Sequence, residues 1–195
     1  MTKYRTWVYS DPHFSHANIL KFAGYNGDRL RPLWDVDDIE GMNKDLITWY
    51  NELVSDEDRV YILGDVAFNA RQLNEAVSCL KGRKVLVPGN HEPRKMRKYF
   101  DQFDDVRGYV QGKNFVMSHV PIHPDSLDRW GLNIHGHLYD EAVRRDGHTE
   151  KDNPTYEDLF ETVEDERYYC ACVERTNFRP KLLNEILEER GLPPI

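Results

Sequence analysis

Five short apolar runs in this chain break off directly into aspartate, asparagine or histidine, and that recurrence constrains the fold more than any other feature. Tyr9-Ser10 leads to Asp11-Pro12-His13, Ile62-Leu63 to Gly64-Asp65, and Val87-Pro88 to Gly89-Asn90-His91-Glu92. Val116-Met117 leads to Ser118-His119, and Asn133-Ile134 to His135-Gly136-His137. Runs of β-branched and aromatic residues bounded by glycine or polar residues read as strands. In α/β sheets the carboxyl ends of strands gather along one edge, so five such ends can build one site from residues far apart in sequence.

The spacing between runs sets the fold class. Strands are expected over 7–9, 60–63, 85–87, 114–117, 132–134 and 168–171, with Tyr109-Val110 as a shorter one. Helical periodicity covers 37–54, where Met42, Leu46, Ile47, Tyr50 and Leu53 share a face, and then 71–80, 94–100 and 182–190. Strand and helix alternate in the first half, which implies βαβ units and a largely parallel sheet. The later strands are separated by turns too short for long crossover helices, so a second, mixed or antiparallel sheet is expected there.

Composition excludes several classes. A chain of 195 residues with 39% hydrophobic and 12% aromatic residues can bury one core, so a single domain over 1–195 is expected rather than a disordered, collagenous or disulfide-stapled chain. The three cysteines, Cys79, Cys170 and Cys172, make no disulfide framework and fit a reducing cytoplasm. No apolar run reaches the length of a membrane span, and no signal-peptide core follows Met1. The net charge of −8 is concentrated: residues 150–166 hold eight acidic side chains against Lys151. That stretch reads as an acidic insertion around 140–167, either solvated or a lid near the site. The rest is nearly neutral, so the total charge argues only weakly against nucleic-acid partners.

The strand ends offer nitrogen and oxygen donors without thiolate, a set suited to hard or borderline divalent ions. Asp11, His13, Asp65, Asn90, His119, His135 and His137 are more ligands than one ion needs, and enough for two if Asp65 bridges them. Two such ions, two aspartates and a bridging hydroxide leave about one positive charge, which suits a phosphate ester. His91, one residue past Asn90, is then free to protonate the leaving oxygen. Manganese is the first expectation, with iron, zinc, nickel or magnesium as alternatives.

These residues resemble the calcineurin-like metallophosphoesterases, whose motifs read Asp-x-His, Gly-Asp, Gly-Asn-His-Asp/Glu, a His after the fourth strand, and Gly-His-x-His or His-Gly-His. All five stand here in family order between residues 11 and 137. The resemblance implies an α/β fold, a four-layer αββα sandwich of two mixed sheets flanked by helices. It implies Asp11, His13, Asp65 and His137 on one metal, Asp65, Asn90, His119 and His135 on the other, and His91 as the acid. A closer similarity, to small bacterial and phage-type members, rests on residues 10–20 and on Pro180 followed by a helix, and sets His16 and Asn18 near the entrance. The protein phosphatases of the family carry Asp-Arg shortly after Gly-Asp, whereas Val66-Ala67-Phe68-Asn69 follows here, which argues against a dedicated phosphoprotein phosphatase.

The expected function is hydrolysis of small phosphodiesters, among them cyclic nucleotides and nucleotide or RNA termini, or of phosphomonoesters, by in-line attack of a metal-bridging hydroxide. The alternative is a binding module that keeps the fold and has lost catalysis. Arg94, with Lys95, Arg97 and Lys98, follows the third motif and is a candidate for binding an anionic substrate or a nucleic-acid end. Arg29, Arg31, Arg144 and Arg145 are weaker candidates of the same kind. Nothing in the sequence sets the oligomeric state.

Overall fold

The computed structural model describes residues 4–24, 26–92, 97, 101–146 and 162–195. The helix expected over 94–100, the candidate Arg94 and residues 150–161 of the acidic stretch lie outside the described residues. Along the chain, β1 (Thr6–Tyr9) is followed by α1 (Ile39–Leu53), β2 (Arg59–Ile62), α2 (Ala70–Val77), β3 (Arg83–Leu86), β4 (Asp105–Val106), β5 (Val110–Gln111) and β6 (Phe115–Ser118). Then come β7 (Leu132–His135), β8 (Arg144–Asp146), β9 (Thr162–Glu164), β10 (Tyr168–Cys170), β11 (Lys181–Leu182) and α3 (Leu183–Glu189).

Two mixed sheets result. The first has the order β11-β1-β2-β3-β4, with β1 to β4 parallel and β11 antiparallel to β1. The second has the order β10-β7-β6-β5, with β10, β7 and β6 parallel and β5 antiparallel to β6. The parallel step from β6 to β7 is made without a long helix, because the 3-10 turn Pro124–Arg129 carries the chain back across the sheet. Strands β8 and β9 pair antiparallel as a separate unit, with Arg144 opposite Glu164.

Strand alternation sorts side chains into layers. Trp7, Tyr9, Val60, Ile62 and Leu86 meet Met42, Leu46 and Tyr50 of α1 and Leu73 and Val77 of α2. Val8, Leu63 and Val87 point the other way and pack against Phe115, Met117, Leu132 and Ile134 of the second sheet, joined by Leu183, Ile186 and Leu187 of α3. The outer face of the second sheet is covered more thinly, by Leu127 of the 3-10 turn against Val116 and Tyr168. Both helices of the first layer start on sequence signals: Asp38 accepts from the Gly41 N–H at 2.9 Å, and Asn69 accepts from Arg71 and Gln72 at 3.1 and 3.0 Å. Among the described residues, no helix is long and apolar enough to cross a membrane.

Candidate metal centre

The parallel strands bring their carboxyl ends to one edge, and hydrogen bonds across the gap lock the five following loops together. Asp11, His13 and Phe14 donate their N–H groups to the carbonyls of Gly64, Asp65 and Val66, at 3.2, 3.1 and 2.8 Å, which zips the loop after β1 to the loop after β2. The second sheet is tied to the first by the His137 N–H, which donates to Asp11 Oδ2 at 3.0 Å, and by His119 Nδ1, 2.8 Å from the Leu63 carbonyl. Asp11, His13, Asp65 and His137 all sit at positive φ, between 49° and 73°, a region disfavoured for residues with a side chain. Such conformations persist only where surrounding bonds over-determine them, and they cluster at functional sites. Gly64, at φ +86°, leaves room that a side chain would close, since a Cβ would lie 2.6 Å from the Gly89 nitrogen and from His119 Nδ1.

Two ligand groups share one carboxylate. Ligand atoms of Asp11, His13 and Asp65 lie within 4.8 Å of one another, and so do those of Asp65, His119 and His137. His13 Nε2 is 3.8 Å from Asp11 Oδ1 and 3.9 Å from Asp65 Oδ2, while His119 Nε2 is 3.5 Å from Asp65 Oδ2 and 2.8 Å from Asn90 Oδ1. Asn90 therefore joins the second group. His137 lies with Asp65 and His119, whereas the resemblance assigns it to Asp11 and His13; its N–H bond to Asp11 makes it a neighbour of both sets. His135 is fully buried, with Nδ1 donating to the Gly136 carbonyl at 2.8 Å and Nε2 left without a partner.

The polar atoms left over fit a cation. Asp11 Oδ1, both ring nitrogens of His13 and Nε2 of His135 are buried without hydrogen-bond partners, although buried polar atoms are nearly always satisfied. His119 gives its Nδ1 hydrogen to Leu63, so its Nε2 lone pair faces the acceptor oxygens of Asn90 and Asp65. Acceptors turned on one another are stable only around positive charge. Burial raises the Asp11 carboxyl to about 8, against the lowering effect of bonds from Ser10 and His137. Burial also lowers His13, His137 and His16, and takes His135 to about 4, which keeps these rings in the neutral form that ligates metals. A divalent cation would reverse the penalty on Asp11 and take up the free lone pairs.

The remaining candidates fall at the rim or away from it. His91 is exposed, its N–H donates to Asp65 Oδ1 at 2.9 Å, and its ring lies 5.9 Å from that of His13. His16 is half-buried beside His13, at 5.5 Å between ring centres, and Asn18 is exposed in the 3-10 turn Ala17–Lys21. Arg31 is not a surface cation: it is fully buried, paired with Glu174 at 2.7 Å, and donates to the carbonyls of Asp11 and Pro12 at 2.8 Å each. It braces the first ligand loop, and Arg29 is similarly spent on backbone carbonyls, at 2.9 Å from that of Trp34.

Sequence reasoning also passed over three groups that shape the centre. Glu92 accepts from the N–H groups of Gly89 and Val66, clamping the loops that carry Asn90 and Asp65 together; its place in the Gly-Asn-His-Glu run was the available signal. Ser10 lies 2.5 Å from Asp11 Oδ2, and the buried Cys172 thiol lies 3.3 Å from the same oxygen. Cys172 is 161 positions from Asp11, so no local pattern could announce that contact.

The family described as calcineurin-like phosphoesterase matches residues 4–183. The chain is 34% identical over 140 residues to the uncharacterized protein MJ1445 of Methanocaldococcus jannaschii, covering 70% of each chain. It is 28% identical to the Gene 66 protein of Mycobacterium phage D29, over 71% of this chain and 80% of that one. Among solved structures it is similar to AQ665 of Aquifex aeolicus, a protein of unknown function, with a TM-score of 0.61, 26% identity, and coverage of 96% of this chain and 100% of that one.

Proposed function

The chain belongs to the calcineurin-like phosphoesterase family, and from that premise we propose that it hydrolyses phosphodiesters at a centre of two divalent metal ions. Its family and its Asp and His ligand groups make it a metal-dependent phosphoesterase. The observation that supports two ions is the sharing of Asp65 between two adjoining ligand groups, with buried unpartnered atoms of Asp11 and His13 in the first. Asp11, His13 and Asp65 would hold one ion, and Asp65, Asn90 and His119 the other, with His135 and His137 completing the sets. When bound, two such ions supply an activated water as nucleophile and polarise the phosphoryl oxygens.

This chain's residues then divide the remaining work. Asp65 presents one oxygen to the ligand atoms of His13 and His119 while the other accepts the His91 N–H, so the same carboxylate orients both the centre and the loop carrying the acid. His91, exposed at the mouth, donates a proton from its ring to the leaving oxygen. Arg31 and Glu92 keep the loops in place from behind. Manganese is the favoured metal because the donor set mixes imidazole with carboxylate and amide oxygen.

The test is a pair of rates, for bis-p-nitrophenyl phosphate and p-nitrophenyl phosphate, on protein stripped of metal and reloaded with manganese. Metal-dependent turnover with the diester preferred is the expected result. Turnover that does not depend on metal, or near-normal turnover in His91→Ala, would overturn the reading or the role of His91.

A further inference from the structure

One lip of the centre is made of aromatic rings contributed by three loops. Phe68 follows the ligand Asp65, Tyr139 follows His137, and Phe22 closes the 3-10 turn after His16. Around His13, ring centres of His16, Tyr139, Phe68 and His91 lie at 5.5, 5.7, 5.9 and 5.9 Å. Phe68 is 4.3 Å from His16 and 5.0 Å from His91, and Phe22 stands beyond them, 5.7 Å from His16 and 6.4 Å from Tyr139. The rings form a continuous arc from the acid candidate His91 to Phe22.

Packing alone does not account for the arc. Phe22 is 39% exposed and Phe68 and Tyr139 are half-buried, Tyr139 resting in part on the core beneath, so all three leave ring surface facing outward beside the centre. Tyr139 is held at φ +54°, strained for a bulky residue, and its segment is pressed against the Phe22 loop: a Cβ on Gly24 would collide with the Asp140 carboxylate. The fold therefore places Tyr139 beside Phe22 at some conformational cost. Its rings are Phe22, Phe68 and the Tyr139 phenol, flanked by the imidazoles of His16 and His91, so it offers a run of ring faces and edges.

We propose that Phe22, Phe68 and Tyr139 are specificity-determining residues that stack the base of a nucleotide phosphoester while its phosphate occupies the metal centre. This rests on the phosphoesterase reading and names its substrate class. Phe68 and Tyr139 are one ring from His13 and Phe22 is two, so the stacking faces begin beside the metal centre and continue outward from it. Stacking on aromatic side chains tolerates every base, because each has a π-face. The expected selectivity is for nucleotides over phosphoesters without a planar ring, with little discrimination among bases.

The experiment uses the manganese-loaded chain and two non-hydrolysable phosphonates, the 5′-phosphonate analogues of adenosine monophosphate and of ribose 5-phosphate, which differ only in the base. Calorimetry should show the adenosine analogue binding about tenfold tighter or more. That preference should fall toward unity in Phe22→Ala and in the gentler Phe68→Leu, while the ribose analogue binds both variants as it binds the parent. Equal affinity of the parent for the two analogues, or a preference unchanged in both variants, would overturn the stacking role. Binding of neither analogue to a chain that still hydrolyses diesters would also overturn it. Failure of the phosphoesterase reading would show separately, as absent metal-dependent hydrolysis.

Discussion

Two buried aspartates flank β1 and β2 at opposite ends, and the structure treats them oppositely. Asp58, at the amino end of β2, accepts from the N–H groups of Arg5 and Ser55, the Arg5 guanidinium and the Trp7 indole, at 2.8 to 3.1 Å. Asp11, at the carboxyl end of β1, keeps Oδ1 buried with no partner. Burial by itself would raise Asp58, but the bonds from Ser55, Trp7 and Arg5 outweigh it and hold the carboxyl below its ordinary range. At Asp11 burial wins and the carboxyl rises to about 8. A satisfied buried charge belongs to stability, and an unsatisfied one held in strained backbone fits a cation ligand.

The sharpest way to break that contrast is to exchange the consequences. Asp65→Asn should cut metal-dependent diester turnover by about a thousandfold or more, since even loss of an outer partner of a metal ligand costs about 10–100-fold. Its unfolding midpoint in chelator should stay at or above the parent's; a large drop there would make Asp65 a structural residue instead. Asp58→Ala should do the reverse, costing about 3 kcal/mol by urea unfolding because several donors lose a charged acceptor, with manganese affinity by calorimetry unchanged. A loss of metal binding in that variant would dissolve the distinction between the two ends.

Metal itself should close the gap between them. Manganese at about a hundredfold its dissociation constant should add about 2.7 kcal/mol to the stability of the parent and much less to Asp65→Asn, read from melting with and without chelator. The pH dependence separates the aspartates by sign. Asp58 is depressed in the fold, so its contribution is full above the unfolded value near about 4 and is lost as pH falls below it. Asp11 is raised, so the metal-free chain binds the extra proton when folded, and stability declines as pH rises from about 6.5 through about 8; below about 6.5 the lowered His13 and His135 act with the opposite sign. Urea unfolding of the chelated protein should show that decline, and Asp11→Asn should flatten it; an unchanged slope would mean that another group sets it. The smallest effect expected is for Tyr50→Phe, which deletes the bond to the Lys81 carbonyl at 3.0 Å far from the centre. It should cost about 1 kcal/mol and leave turnover unaltered.

The elements legible in the sequence were those with a period or a cap. The apolar face of α1 at Met42, Leu46 and Tyr50 is the one buried, and α2 starts at Ala70, one residue before the expected start, with Asn69 as its cap. Strands β4, β8, β9 and β11 escaped, because they are two or three residues long and, unlike the equally short β5 and β10, each includes charged residues that interrupt any aromatic or β-branched run. The start expected for the last helix at 182 belongs instead to β11, which the neighbouring β1 recruits as an edge partner.

The centre divides in the same way. Its donor residues were readable because each sits directly after a strand, and strand ends in a parallel sheet meet whatever the loops between them do. The sequence by itself thus indicated that Asp11, His13, Asp65, His119 and His137 would lie together as nitrogen and oxygen donors. Only the tertiary structure decided that Arg31 is a buried brace rather than a substrate cation, that Glu92 and Cys172 touch the ligand loops, and that Phe22, Phe68 and Tyr139 form one lip. Those contacts join loops from different strands, and the side-chain directions that make them are set by left-handed backbone and by packing across two sheets, neither of which leaves a period in the sequence.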